Sequence, residues 1–243
     1  MLSSDRIAKS TTSKRFASLS ARASRRFSWH WQTVTVAGQS IEIATPSDPN
    51  ELLAQACQRQ SSSSTGEDET TLADPFWAQV WHSTAGLDAF FATRQLQGVE
   101  VLELGCGTGV AGLAAALRGA NVTFTDGATD PLILLRLTLD RLALHSCDVR
   151  RLMFASDRLP GKRFPLIIAS DIAYLRKCWT GLLQTLHGQL EIGGEVLLGD
   201  PYRSVSTDFI TWASSRGWMI QEHPIDLPDA PIRIIRMTFE ASH

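Results

Sequence analysis

The chain has little from which to build a metal centre or a disulfide framework. Its four cysteines, Cys57, Cys106, Cys147 and Cys178, are scattered, form no CxxC pair and lie in no His-rich neighbourhood. Zinc sites and stapled secreted folds need closely spaced ligands or paired cysteines. No metal is therefore expected, and a reducing compartment is indicated. Charge of one sign is equally scarce, since 23 Lys and Arg stand against 25 Asp and Glu for a formal net charge of −2. That balance gives no global case for nucleic acid or an anionic membrane as partner. No run approaches the roughly 18 apolar residues that cross a bilayer, and no internal repeat is visible. The expectation is a cytoplasmic monomer that binds neither nucleic acid nor membrane.

What is present is enough apolar material for one sizeable α/β domain with an appendage: 44% hydrophobic in 243 residues. Residues 1–28 are Ser-rich and basic, with Arg6, Lys9, Lys14, Arg15, Arg22, Arg25 and Arg26 against the single acid Asp5. Such a composition buries little apolar surface and suggests a largely disordered or loosely docked arm. It also has the texture of a mitochondrial transit peptide, which would place the protein in the matrix; a solvated arm is the simpler reading. Residues 29–74 form an appendage and linker. Alternation at Val34–Val36 and Ile41–Ile43 around Ala37-Gly38 predicts a hairpin. Ser47-Asp48-Pro49 predicts a helix start through Leu52, Leu53 and Ala56. Gln60–Thr71 reads as a flexible linker or lid.

From Pro75 to the end, short apolar runs alternate between strand and helix texture. Strands are expected at Val99–Leu104, Val122–Thr125, Leu152–Ala155, Leu166–Ser170, Val196–Gly199 and Ile232–Phe239, with a weaker one near Trp218–Gln221. Helices are expected at Val110–Arg118, Pro131–His145, Leu175–Leu190 and Thr207–Ser215. This alternation predicts an α/β fold: a doubly wound, mainly parallel sheet covered on both faces, with an antiparallel pair at one edge.

The segment that carries chemistry is Val101-Leu-Glu-Leu-Gly105-Cys-Gly107-Thr-Gly109-Val-Ala-Gly112. A buried strand ends in glycines and a helix follows at once, so ligand can approach the backbone and the helix N–H groups. In open α/β sheets ligands bind in such a crevice. About twenty residues on, Asp126 ends the next strand, placed to hydrogen-bond a ribose diol. Gly107-x-Gly109-x-x-Gly112 also satisfies the dinucleotide pattern GxGxxG, which keeps an NAD-dependent oxidoreductase as an alternative. Against it, Glu103 would repel a pyrophosphate but suits the ammonium end of S-adenosylmethionine.

Glu103-Leu-Gly-Cys-Gly-Thr-Gly109 resembles motif I of the seven-β-strand (class I) S-adenosylmethionine-dependent methyltransferases. Three further stretches are similar to the protein-lysine methyltransferases of the electron-transfer-flavoprotein β-subunit type. They are Pro75-Phe-Trp-Ala-Gln-Val-Trp81, Asp171-Ile-Ala-Tyr174 and Gly199-Asp-Pro-Tyr-Arg203. The resemblance runs from about Val34 to Phe239. It implies a Rossmann-like seven-stranded sheet and S-adenosylmethionine as cofactor, contacted by Trp81, Glu103, Gly105, Cys106, Gly107, Gly109, Asp126 and Ala169. It also implies a lysine-bearing protein as substrate, with Asp171 holding the incoming amine and Tyr174 walling its channel. Asp200 and Arg203 are expected to close the substrate entrance or to pair with each other. The pattern departs where relatives carry an Asn late in the helix after Asp126, because this chain has Asp140, and at the third strand end, Phe154-Ala-Ser-Asp157. A small-molecule N- or O-methyltransferase and a non-catalytic binding module remain as alternatives, since the cofactor half says nothing about the acceptor.

Overall fold

The computed structural model describes residues 4–52, 54, 75–228 and 230–239. The linker expected at Gln60–Thr71 and the helix positions Leu53 and Ala56 lie outside the described residues. Among the described residues, helices α1 (Ser4–Ser24), α2 (Ser83–Phe91), α3 (Val110–Ala116), α4 (Asp130–Arg141), α5 (Trp179–Gln189) and α6 (Ser204–Ser214) accompany nine strands. Strands β1 (Trp29–Val36) and β2 (Gln39–Pro46) form a separate antiparallel hairpin. The main sheet contains β3 (Glu100–Leu104), β4 (Asn121–Asp126), β5 (Asp148–Arg151), β6 (Phe164–Ser170), β7 (Leu190–Asp200), β8 (Trp218–Ile225) and β9 (Ile232–Phe239).

The strand order is β5-β4-β3-β6-β7-β9-β8. β3 through β7 run parallel, while β9 lies antiparallel to both β7 and β8. β3 is the first strand, and the chain builds outward from it on one side and then, from β6, on the other. This is the switch point at which an open sheet leaves a crevice at its strand ends. Side chains alternate strictly in β3. Val101 joins the core under α2, α3 and α4, whereas Leu102 and Leu104 join the core under α5 and α6. Both faces are covered, so the strand reads as a continuous apolar run rather than an alternating one.

The hairpin turns at Ala37-Gly38 with φ of 52° and 72°, the left-handed pair that a two-residue turn between twisted strands requires. Asp88 of α2 accepts two bonds from the Ala37 N–H at 3.1 and 3.2 Å and also holds Arg118. Asp48 caps the short helical turn that follows β2, accepting from the Asn50 and Glu51 N–H groups.

Three features differ from what the sequence suggests. The third strand of the sheet is Asp148–Arg151, not Leu152–Ala155. β5 is an outer strand with one partner, so its Asp, Arg and Arg side chains meet water and carry no apolar signal. Leu152 and Phe154 are apolar because they pack toward α5, where the Ala155 N–H donates to Thr185 Oγ1 at 3.0 Å. The helix expected from Leu175 begins at Trp179, after a 3-10 turn at Arg176–Cys178, and Leu190 already belongs to β7. Thirdly, the basic N-terminal arm, expected to be disordered or loosely docked, is helical over Ser4–Ser24. Phe16, Leu19 and Ala23 recur at helical spacing and pack with Ile133, Leu134 and Leu137 of α4. Ala23 is fully buried. Arg26 pairs with Asp130 and Arg15 faces Asp140 at 3.5 Å, so acids of α4 match part of the basic charge.

Candidate active site

At the end of β3, Gly105, Gly107 and Gly109 hold φ of 60°, 50° and 77°, a left-handed run that side chains resist. The turn is cinched by backbone bonds from Cys106 N–H to Thr125 O (2.8 Å) and from Gly109 N–H to Cys106 O (2.7 Å). Asp126, at the end of β4, accepts from the Gly107 N–H at 3.0 Å and from the Ala128 N–H at 2.8 Å. The Asp126 carboxylate thus already fixes the turn, with lone pairs left over for a further donor. A Cβ on Gly107 would stand 3.2 Å from the Trp77 carbonyl, and one on Gly105 would stand 3.0 Å from the Ile172 side chain. The glycine turn is therefore closed in from two sides. One wall is the 3-10 turn Pro75–Ala78, and the other is the loop leaving β6.

Glu103 points onto the α3 side and is only 2% exposed. Gly112 makes room for it, since a Cβ there would overlap Glu103 Oε2 and the Phe124 ring. Oε2 has no hydrogen-bond partner among the described residues. Burial drives the carboxyl up to about 8, the Gly112 backbone opposes this, and the neighbouring Asp126 charge adds to it. Burial also raises Asp126, with the Ala128, Gly107 and Gly127 N–H groups pulling it back. Cys106 is pushed up by burial and then by the two carboxylates, so its thiol is an inert packing group rather than a nucleophile.

The second half of the site begins where β6 ends. Asp171 has φ of 55°, a strained position for a non-glycine residue. Its N–H donates to Gly199 O at 3.0 Å. Its side chain is 6% exposed, and Oδ1 accepts from Arg203 Nε (3.2 Å) and Nη2 (2.9 Å). Oδ2 accepts from Ser170 Oγ at 3.2 Å. The Arg203 guanidinium lies 5.5 Å from the centre of the Trp81 ring. Phe76 links the aromatic groups, edge-on to Trp81 at 6.1 Å and to Tyr174 at 5.8 Å. Phe76 and Tyr202 are 42% and 45% exposed, so the rim around Asp171 is open and aromatic.

The positions picked out in the sequence thus fall into two adjoining groups. Glu103, Gly105, Cys106, Gly107, Gly109 and Asp126 form the turn, and Asp171, Tyr174 and Trp81 form the rim. Trp81 donates its Nε1–H to Phe76 O and belongs with the rim; the backbone of Trp77 is what approaches the turn. Ala169 is not brought in through its side chain, which is buried among Leu102, Leu104 and Leu198 on the α5 and α6 face, opposite Glu103. Asp140 sits in the last turn of α4 while Asp126 lies beside its start, so Asp140 serves the α1 contact and not the turn. Asp157 closes its own loop by accepting from the Met153 N–H. Asp200 and Arg203 do not pair through their side chains. Asp200 caps the Arg203 N–H and holds buried Arg233, which also reaches Glu222 and Thr207. Arg203 on Asp171 and Phe76 between the aromatics are the contacts that local sequence could not announce. Among the described residues, no group of three His, Cys, Asp or Glu side chains is placed to hold a metal ion. None of the helices there is long and apolar enough to cross a membrane.

Comparison with known proteins follows the same lines. Protein N-lysine methyltransferase METTL21A of Danio rerio is 35% identical over 128 residues, covering 50% of this chain and 58% of the relative. Electron transfer flavoprotein beta subunit lysine methyltransferase of Xenopus laevis is 30% identical over 137 residues, covering 54% of each. The chain thus spans about half the length of the curated relatives it matches. The glycopeptide N-methyltransferase MtfA, solved with S-adenosyl-L-methionine, superposes on 65% of this chain and 87% of its own, with a TM-score of 0.53 at 20% identity. That likeness shows the fold alone. A family model described as lysine methyltransferase matches residues 69–227, well over half of the chain. The glycine turn, the Asp171 rim and the strands that carry them all fall within that span, and the chain belongs to the lysine methyltransferase family.

Proposed function

We propose that this protein transfers a methyl group from S-adenosylmethionine to the side-chain amine of a lysine in a protein. The observation that carries the reading is the contact between the two halves of the site. The loop bearing Asp171 packs directly on Gly105, so an amine held at Asp171 lies beside a ligand held at the glycine turn. The turn suits that ligand. Glu103 offers a buried carboxylate oxygen without a partner, which fits a cationic amino group, and Asp126 retains acceptor capacity for ribose hydroxyls. When bound, S-adenosylmethionine supplies an activated methyl group and a neutral thioether as leaving group.

The residues of the chain then have to deliver a neutral amine in line. Deprotonating a lysine of pKa ~10.4 at pH 7 costs roughly 4–5 kcal/mol, and desolvation in a narrow channel favours the neutral form. Asp171 accepts an N–H of the amine and aims its lone pair, while Phe76, Trp81 and Tyr174 exclude water on either side. Most of the rate enhancement is positioning. An ordinary carboxylate is too weak a base to take the proton efficiently, so the proton leaves to water before transfer and the methylated amine departs as an ammonium ion. The open, aromatic rim supports a protein acceptor over a closed small-molecule pocket.

The test is transfer of labelled methyl from S-adenosylmethionine into a whole-cell extract, with Asp171→Ala as control. The expected result is label in a discrete protein band, reduced at least a hundredfold in the variant. Label confined to the small-molecule fraction contradicts a protein acceptor, and absence of transfer together with absence of cofactor binding contradicts the enzymatic reading.

A further inference from the structure

A lone buried carboxylate is a poor companion for an amine that must react as a free base. It attracts the ammonium form, raises the amine's pKa and so holds the proton on the nucleophile. Asp171 is nearly buried and sits where the amine is proposed to arrive, yet it does not stand alone. Arg203 places two N–H groups on one oxygen, Oδ1, and leaves Oδ2 with only the 3.2 Å bond from Ser170 Oγ. One oxygen is thereby neutralised and the other stays available as an acceptor.

The backbone around Arg203 is built to hold that arrangement. Arg203 is the residue preceding α6, and Tyr202 before it is held at φ of 57°. Asp200 accepts from the Arg203 N–H at 3.2 Å, and buried Arg233 reaches the Arg203 carbonyl at 3.4 Å. The Cα is fixed, while the side chain is 37% exposed and rests on the Trp81 face. A guanidinium stays protonated at every pH of interest, so the counter-charge cannot be titrated away.

We propose that Arg203 is a positioning residue that cancels the charge of Asp171, so that the site selects the neutral form of the lysine amine while keeping a hydrogen-bond acceptor for it. This deepens the reading of the site as a lysine methyltransferase and rests on it. Several of the other charged groups around the pair are matched. Asp200 is held by Arg233, which also takes Glu222, and Arg176 beside Tyr174 pairs with Asp208. Exposed His82 adjoins Trp81, the Tyr174 phenol shares the Asp171 loop, and Glu103 and Asp126 line the turn next door.

The test uses n-butylamine, a lysine side chain without its backbone, binding to the full chain between pH 7 and pH 9 by calorimetry. Below the amine's pKa its neutral fraction rises tenfold per pH unit. Wild-type protein is expected to bind about tenfold more tightly per pH unit. Arg203→Gln is expected to lose that slope, because uncovered Asp171 takes the ammonium form, whose concentration is constant across the range. Arg203→Lys, which restores a cation, is expected to recover the slope. Burial drives the Glu103 carboxyl up to about 8, and neither substitution touches it, so the slopes are compared between proteins rather than read singly; thermal melts confirm that each variant is folded. A slope in Arg203→Gln equal to that of wild type, or no slope in wild type, overturns the proposal. The methyl-transfer experiment decides the parent reading separately: lysine labelling with unchanged slopes removes only the role of Arg203, whereas the expected slopes without lysine labelling remove the parent reading.

Discussion

In the ligand-free protein the Glu103 carboxyl, wrapped by Phe124 and α3, is costly to ionise, and its pKa stands near 8. A folded-state pKa raised above the ordinary value means that the contribution of this group to stability is fully present below about pH 4.5. It is lost as pH rises through about 8. Every tenfold change in proton affinity between the folded and unfolded chains is worth about 1.4 kcal/mol, so the loss at pH 9 amounts to a few kcal/mol. Glu103→Gln is expected to remove it, making the ligand-free protein more stable than wild type at pH 8–9 and equal to it near pH 5, as thermal melts across pH would show. The same change is expected to weaken S-adenosylmethionine binding ten- to a hundredfold, the worth of a charged hydrogen bond. A cationic ligand favours ionised Glu103, so wild-type affinity is expected to rise with pH up to about 8, and that of the variant to stay flat. A Glu103→Gln protein less stable than wild type at pH 8–9 contradicts the burial argument. Strand, glycines, acid and helix lie within a dozen consecutive residues, and local order alone placed them in the sequence. Asp171 and Arg203 are 32 positions apart, and nothing in either neighbourhood marks one as the partner of the other.

Among the elements, those with strong apolar runs could be read directly, and β9 falls where its apolar run puts it. The two that could not are instructive for opposite reasons. β5 is an outer strand whose exposed charges give the pattern of a loop, while the apolar residues just after it belong to a turn packed toward α5. In α1 the apolar positions Phe16, Leu19 and Ala23 are present at helical spacing, but Ser, Arg and Lys around them dominate the composition. Their burial against α4 is a tertiary effect, and an isolated helix of this composition has no other reason to form. Deleting Met1–Ser24 is expected to lower stability by roughly 2–4 kcal/mol, the burial of two partly covered large side chains and an alanine. For a domain of this size that corresponds to a melting temperature lower by about 5–12 °C. An unchanged melting temperature means that α1 does not contribute to the fold.

At the scale of the whole molecule, the order of the sheet does the assembling. Because β3 and β6 are neighbours, the turn after one and the loop after the other meet, and Gly105 touches Ile172. The antiparallel β9 then brings Arg233 under Asp200, fixing the segment from which Arg203 reaches Asp171. Strand and helix alternation made the doubly wound class legible, and the aromatic segment 75–81 marked something ahead of the turn. Which aromatics face Asp171 depends on how the 3-10 turn folds over the sheet edge, and that is decided by contacts with Gly107 and Tyr174 rather than by spacing.

The most direct measurement is tandem mass spectrometry of the protein band expected to take label from the wild-type protein in an extract, using deuterated methyl from S-adenosylmethionine. Deuterated methyl on the Nζ of a lysine, missing when Asp171→Ala replaces wild type, is the predicted result. Deuterated methyl on any other side-chain atom, or on lysine to the same extent with both proteins, would contradict the proposed reaction.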